Sequence, residues 1–481
     1  MAEVGALTLG IDLGTSSAKV VALDASGAVA ASAAHGFATW SEVPGAAEQE
    51  TGDWITAVSS GCAELRAVLA VSEAAWRQAV VAIGLAGQLP TLVCGAGAAP
   101  LGRAITWKDS RADAWAAKRL NRQTWRRLYE RTGMPLDGRY LGPMYAYHWR
   151  QRAAEVEWVL SAKDYLCFTL TGSRLTDPST AAGYAVFDSV TGSFDANLCR
   201  RWQLPVSALP AVRSSQAAAG LLTASAARLL GLRPGVPVAV GCADSVAAAY
   251  AMAELSEHTV CVTMGSSTTI LDAVRERRLD PAARYLLTPH LASGWYAREM
   301  DLLATGTGYR WLSGLLGFDD GTLDERAARS PAGAHGLTFT PYLGGGEQGA
   351  LWNPALRGSL HGLTLEHTAD DLARAFLEGV AFEIARCIEV LAETSPVEAV
   401  VVSGSVVAHA ASLQLLADVL GRPLQCCTLT SAAAVGAALC ARELSGGGPR
   451  PHAARRTATV RPGRVSARYR DIQARYRAIA D

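Results

Sequence analysis

The chain has no net charge, because 44 Lys and Arg residues are balanced by 44 Asp and Glu among 481 residues. No net field draws it to nucleic acid or to an anionic membrane, and neither partner is expected. Lysine is scarce beside arginine, which reads as genome base composition rather than a binding surface. The locally basic runs at 125–131 and 455–464 lack the pattern of any nucleic-acid module and read as a solvated face and a tail. The ten cysteines are scattered singly apart from Cys426 and Cys427, with no Cys-x-x-Cys spacing. That excludes the usual zinc and redox frameworks and leaves buried thiols in a reducing compartment. Glu3 and the lack of a basic segment before the first apolar run argue against a signal peptide. The most apolar long stretch, Val236 to Leu255, is interrupted by Asp244 and makes a poor membrane span. A cytoplasmic location is the expectation.

Several catalytic signatures are missing as well. There is no Walker A sequence, no His-Glu-x-x-His and no Gly-x-Ser-x-Gly, which disfavours P-loop nucleotide binding and serine-hydrolase chemistry. The run Gly344 to Gly349 matches a dinucleotide fingerprint in letters, yet Leu351-Trp-Asn-Pro354 follows where a helix must begin. Ser16-Ser-Ala-Lys19 matches a Ser-x-x-Lys nucleophile pattern, but its serines fall in a turn between strands and have no companion motifs.

What the chain does carry is Leu7-Thr-Leu-Gly-Ile-Asp-Leu-Gly-Thr-Ser-Ser-Ala-Lys-Val-Val-Ala-Leu23, an apolar strand, a Gly-Thr-Ser-Ser turn and a second apolar strand. Gly14 lets the backbone approach an anion, and Thr15, Ser16 and Ser17 add hydroxyl donors, so the turn reads as a phosphate cradle. Asp12 is placed to hold a magnesium ion against the same phosphates. The pattern recurs at His258-Thr-Val-Cys-Val-Thr-Met-Gly-Ser-Ser-Thr-Thr-Ile-Leu-Asp272, where Gly265, Ser266 and Ser267 stand between two apolar strands. One such turn is an ordinary hairpin; two, half a chain apart, suit a nucleotide clamped between similar domains.

The rest of the pattern is α/β. Asp24 to Gly27 reads as a turn into a third strand around Val29. A helix is expected from Asp53 as N-cap, with Trp54, Val58, Cys62, Leu65 and Leu69 on its buried stripe, and then a strand over Ala79 to Gly84. Later come a helix from about Asp370 to Leu391, a strand from Ala399 to Val402 and a helix over Leu413 to Leu420. A strand over Leu424 to Cys427 and a small-residue helix from Ser431 complete the pattern. The expected fold is two ribonuclease-H-like α/β domains with a nucleotide clamped in the cleft between them. The N-terminal domain is placed at 5–245, with pocket-shaping insertions at about 120–213, and the C-terminal domain at 256–445. The segment 446–481 is read as a peripheral extension.

The order of these pieces resembles the FGGY family of carbohydrate kinases, within the actin-like ATPase superfamily, which implies that the central cleft between the two ribonuclease-H-like domains holds both nucleotide and sugar. The resemblance runs from about Leu7 to Arg442. It is carried by Gly10 to Lys19, Gly84-Leu-Ala-Gly-Gln88, Ile105-Thr-Trp-Lys-Asp-Ser-Arg111, Lys163-Asp-Tyr-Leu166 with Thr176-Asp-Pro-Ser179, and Gly241-Cys-Ala-Asp-Ser245. Further on, Pro341-Tyr-Leu-Gly-Gly345, Arg357 to Leu363, Leu377 to Phe382 and Leu416 to Gly421 carry it too. Length and motif wording are most similar to the xylulose-phosphorylating members. The resemblance implies an ATP-dependent phosphotransferase using Mg2+, acting on a small sugar or polyol, and homodimers are frequent among members. It implies that Asp244 is the base that takes the sugar hydroxyl's proton, where the residues alone also allow a cap on the helix from Ser245. It sets Gly14, Thr15, Ser16, Gly265, Ser266 and Ser267 on the phosphates, Gly306 against the nucleotide, and Gly404 with Ser405 beneath adenosine.

The chain departs from that pattern in places. Gly404-Ser-Val-Val407 stands for a glycine-rich run and crowds the expected adenine surface. His409 stands where an asparagine is common and would contact adenine, and Arg310 takes the place of a frequent polar contact. On the sugar side Gly87-Gln88 is followed by Leu89 and Pro90 instead of a Met-His pair, which removes polar recognition and points to a substrate other than D-xylulose. Trp107 is expected as an apolar platform, and Gln88, Asp109, Tyr140 and Ser245 as polar contacts. The alternatives are a kinase for another ketose, polyol or cyclitol, and a catalytically degenerate nucleotide- or sugar-sensing protein.

Overall fold

The computed structural model describes residues 5–253, 255–319, 321–344, 348–446 and 456–480. Positions 345–347 of the Gly-rich match, with Gly345 of the Pro341 piece, and 447–455 of the C-terminal extension lie outside the described residues. Two seven-stranded sheets organise the rest. In the first, Leu7–Leu13 and Ser17–Leu23 form an antiparallel hairpin that continues antiparallel into Val29–Gly36. The other edge of Leu7–Leu13 pairs in parallel with Val80–Gly87, then come Pro237–Ala239 in parallel and Ala218–Leu221 antiparallel. In the second, Thr259–Met264 and Thr268–Val274 form the hairpin, and Tyr296–Leu302 continues it antiparallel. Ala399–Gly404 and Leu424–Cys427 then join in parallel and Arg456–Val460 antiparallel. Six strands thus match in order and direction, which is the duplication that the repeated turn implied.

Local chemistry explains the elements. Leu7–Leu13 is buried at every residue, as a central strand covered on both faces must be. Asp24 and Gly27 close the expected turn, Gly27 N donating to Asp24 O at 2.9 Å with a φ of 83° that suits glycine. The helix expected from Asp53 instead spans Thr51–Val68, with extended Glu50 as N-cap and Asp53 in the first turn, where its charge complements the helix dipole. Trp54, Val58, Cys62 and Leu65 are buried as the stripe required. The later helices span Ala369–Ala392, Ala410–Leu420 and Ala432–Ala441. Several aromatic residues of the 120–213 region, among them Tyr140, Tyr145, Trp149, Tyr184 and Trp202, close a separate core. Among the described residues no single helix is long and apolar enough to cross a membrane.

Between the two sheets lie the helices Asp244–Met252 and Ala432–Ala441, both dominated by alanine. Their small side chains let backbone rest on backbone. A Cβ at Gly10 would lie 1.8 Å from Ala434 O, one at Gly84 1.8 Å from Ala437 O, and one at Gly436 1.9 Å from Ala247 O. The C-terminal half's last interdomain helix is therefore seated directly on the N-terminal sheet. Gly84→Ala is expected to destabilise by about 3 kcal/mol, the upper end of overpacking costs. Gly52→Ala, where an added Cβ meets nothing within 4 Å, serves as the control in thermal unfolding. Equal melting of the two variants would contradict the backbone contact.

Candidate active site

The two hairpin turns open into one cavity of about 880 Å³. In the first, Asp12 pairs across the ladder with Lys19, and Gly14 N donates to Ser17 O at 3.1 Å. In the second, Met264 pairs with Thr268, and Gly265 N donates to Ser267 O at 2.8 Å. Gly14, Thr15, Ser16, Gly265, Ser266 and Ser267 all line the cavity, as do Asp12 and Asp244. Thr15 is braced from two sides. Trp107 Nε1 donates to its hydroxyl at 3.2 Å, and Gln49 Nε2 donates to its carbonyl at 2.7 Å.

Asp244 is the first residue of the helix Asp244–Met252 and follows the short strand Cys242–Ala243. It is not the cap: Ala243 occupies that position, and Asp244 Oδ1 accepts from the neighbouring Ser245 N at 3.0 Å. Desolvation within the site, and then the charge of Asp12, push its carboxyl up to about 7, against the opposing pull of Lys19. Lys19 Nζ lies 3.3 Å from Asp12 Oδ2, and that pairing raises the ammonium above its ordinary value.

Asp12 Oδ1 is buried and has no hydrogen-bond partner. An unpaired buried carboxylate oxygen on a residue that lines the cavity fits one oxygen ligand of a hard divalent cation. No set of three or more His, Cys, Asp or Glu converges on a metal position among the described residues. A cation there would complete its shell with water and phosphate oxygens, as Mg2+ commonly does.

A buried polar network holds the backbone behind Asp244. Lys163 Nζ lies 2.8 Å from Asp164 and 3.2 Å from Asp177, and donates to Val240 O at 2.9 Å. Ser179 Oγ bonds Asp177 and in turn accepts from Ala243 N at 3.0 Å. Tyr184 OH donates to Asp164 Oδ2 at 2.9 Å and Ser215 Oγ to Asp177 Oδ2 at 3.0 Å. Burial opposes the Lys163 charge, and the two aspartates overcome it and hold the ammonium above its usual range. The Lys163 and Thr176 sequence pieces meet here, adjoining the residue before Asp244.

Other expected site residues divide. Leu89, Pro90, Trp107, Tyr140, Ser245, Gly404 and Ser405 line the cavity. Gln88 and Asp109 do not: Gln88 Nε2 bonds Gln49 at 2.8 Å, and Asp109 accepts from Ala47 N at 3.0 Å and from Arg111. Both brace the loops that carry the cavity wall. Gly306 backs the second turn, where a Cβ would lie 2.1 Å from Gly265 O. Gly404, at φ 95°, is required because a Cβ would meet Met264 O at 2.0 Å. Arg310 is exposed and His409 bonds Asp324 at 3.1 Å; neither lines the cavity. Of the two valines, Val406 is buried in the core and Val407 lines the cavity beside Thr428 to Ala433.

The cavity also has lining that the motifs did not single out: Arg139, Glu299, Asp301 and Gln348. The available signal was three charged residues, Arg298, Glu299 and Asp301, inside an otherwise apolar seven-residue strand, Tyr296–Leu302.

Two family models cover the chain: "FGGY family of carbohydrate kinases, N-terminal domain" matches residues 7–251, and "FGGY family of carbohydrate kinases, C-terminal domain" matches 260–442. A glycerol kinase of Alkalilimnicola ehrlichii is 31% identical over 472 residues, covering 92% of each chain. A gluconokinase of Bacillus licheniformis is 26% identical over 440 residues, covering 85% of this chain and 82% of its own. The crystal structure of a xylulose kinase from Rhodospirillum rubrum superposes with a TM-score of 0.86 at 29% identity, covering 98% of both chains.

Proposed function

Because this chain belongs to the FGGY family of carbohydrate kinases, we propose that it transfers the γ-phosphoryl group of ATP to a hydroxyl of a small sugar or polyol, with Asp244 as general base. The observation that carries the proposal is the convergence of both glycine turns and Asp244 on one cavity. Phosphoryl transfer needs positioning and charge neutralisation more than covalent assistance from protein. With the Gly14 and Gly265 N–H groups closing the two turns, the N–H and hydroxyl groups of Thr15 and Ser16 and of Ser266 and Ser267 supply phosphate donors from opposite sides. Mg2+ held by Asp12 would neutralise phosphate oxygens, and Lys19 adds a fixed positive charge beside it. The Asp244 carboxylate accepts the proton of the attacking hydroxyl. Val407 and the segment Thr428 to Ala433 form the wall on which the nucleoside rests.

Leu89 and Pro90 leave that side of the cavity without a polar group, which supports an acceptor other than D-xylulose, such as another ketose, a polyol or a cyclitol. A catalytically silent sensor is not favoured, since Asp12, Lys19 and Asp244 are retained together and Val406 turns into the core. The test is ADP release with a panel of these acceptors, read by a coupled assay. Tight ATP binding without turnover on any acceptor would overturn the proposal.

A pH dependence follows from the raised carboxyl of Asp244. Its proton is held until about 7, so the base form is lost as pH falls through that value. The kcat/KM for the acceptor is expected to drop about tenfold per pH unit below the turn. A profile from roughly pH 5.5 to 8.5 checks this. An acid limb lying near the ordinary carboxylate value of about 4 would contradict it.

A further inference from the structure

Tyr296–Leu302 lies between Thr268–Val274 and Leu286–Pro289, and strand alternation sends its charges to opposite faces. Arg298 points away from the cavity and is buried against Asp272, with Nε 2.9 Å from Oδ1. Glu299 and Asp301, two residues apart, share the face that lines the cavity. Glu299 Oε2 accepts from Ser245 Oγ at 2.8 Å, and Asp301 Oδ1 accepts from Thr269 Oγ1 at 2.9 Å. Each carboxylate thus has one oxygen fixed by a hydroxyl and a second that accepts no hydrogen bond among the described residues.

The cations at this end are committed elsewhere. Arg139 is bonded to Asp137, with Nε at 3.0 Å and a terminal nitrogen at 2.6 Å, and Gln348 Nε2 joins the same carboxylate at 3.1 Å. Lys19 is paired with Asp12. Three carboxyls, Asp244, Glu299 and Asp301, thus meet here with the lining cations already paired. Burial, and then the charge of Asp301, raises Glu299 well above its ordinary value, so that it is a neutral hydrogen-bonding group, while Asp301, lifted by burial to about 6, carries a charge at neutral pH. Free carboxylate oxygens accept hydroxyl protons strongly and repel a second carboxylate.

Resting on the kinase reading above, we infer that the acceptor is an uncharged polyhydroxy compound, and that the Asp301 carboxylate excludes sugar acids from the subsite while Glu299 bonds acceptor hydroxyls. Glu299 and Asp301 are specificity-determining groups that touch acceptor hydroxyls, while Leu89, Pro90 and Trp107 face its C–H surface.

The experiment compares glycerol, D-xylulose and D-gluconate as acceptors under saturating MgATP, with calorimetric binding of each in the presence of ADP. The better uncharged acceptor is expected to exceed gluconate by at least about a hundredfold in kcat/KM. Asp301→Asn should cut that ratio by about tenfold or more, and Glu299→Gln, which exchanges one neutral group for another, should leave it within a few-fold, whereas Arg139→Gln, which strips away positive charge, should enlarge it. ADP affinity reports that each variant is folded. Gluconate equalling the uncharged compounds, or a ratio unmoved by Asp301→Asn and Arg139→Gln, would overturn the inference. If nothing is turned over yet the uncharged compounds still bind more tightly than gluconate, the kinase proposal fails and the subsite assignment stands.

Discussion

Asp244→Asn is expected to lower kcat for acceptor phosphorylation by about 10²- to 10⁴-fold, the usual contribution of a positioned general base, while ADP affinity stays within a few-fold. The asparagine keeps the size of the side chain and the position of Oδ1, which accepts from Ser245 N at 3.0 Å. What disappears is the capacity to take a proton, together with one of the negative charges crowding Asp12. Loss of that charge relieves repulsion in the site, so nucleotide binding is not expected to weaken. Steady-state ADP release and calorimetric ADP titration separate the two effects. Turnover near that of the unmodified enzyme would remove Asp244 from the chemistry, and a matching collapse of ADP binding would assign it to the nucleotide instead.

Lys163→Met is expected to cost about 3–5 kcal/mol of stability, because it strips the cation from two buried carboxylates and leaves their charges uncompensated. Lys163, Asp164 and Asp177 have side-chain exposures of 1%, 0% and 0%, so solvent cannot take the ammonium's place. For domains of this size the loss amounts to a fall in Tm on the order of 10 °C. The double variant Lys163→Met with Asp177→Asn should recover part of the loss, since it removes one orphaned charge. A single variant that melts within a degree or two of the parent would refute the role given to the network. Because Ser179 transmits the network to Ala243 N, the surviving folded fraction should also show a reduced kcat.

Sequence periodicity made much of this fold legible. The glycine turns are local in sequence, and hydrophobic runs flank them on both sides, so the two hairpins and the repeated topology followed from short-range pattern. Helix stripes such as Trp54, Val58, Cys62 and Leu65 did so for the same reason. The N-cap at Asp53 was displaced because Thr51 also tolerates a first-turn position, and cap choice is decided by backbone geometry. Glu299 and Asp301 were passed over since their meaning depends on a neighbouring strand and on Ser245, 54 residues away from Glu299. His409 and Arg310 show the converse: position along the motif suggested the cavity, yet Asp324 draws the imidazole aside and the helix Thr305–Leu315 turns the guanidinium outward. Gly306 and Gly404 have backbone neighbours that require glycine whatever ligand is bound.

The alanine-rich seam between the halves has a mechanical consequence. Where main chain touches main chain at Gly10, Gly84 and Gly436, sliding one half across the other meets backbone atoms, so the expected relative motion is a pivot, as tweezers make about their weld. Travel in such a lever grows with distance from the fulcrum. Asp244 opens one of the two welded helices, a single turn from Ala247, and scarcely moves, whereas the tips at Ser16 and Ser266 sweep through the widest arc. A proton acceptor at that position would thus keep its aim at every angle of the jaws.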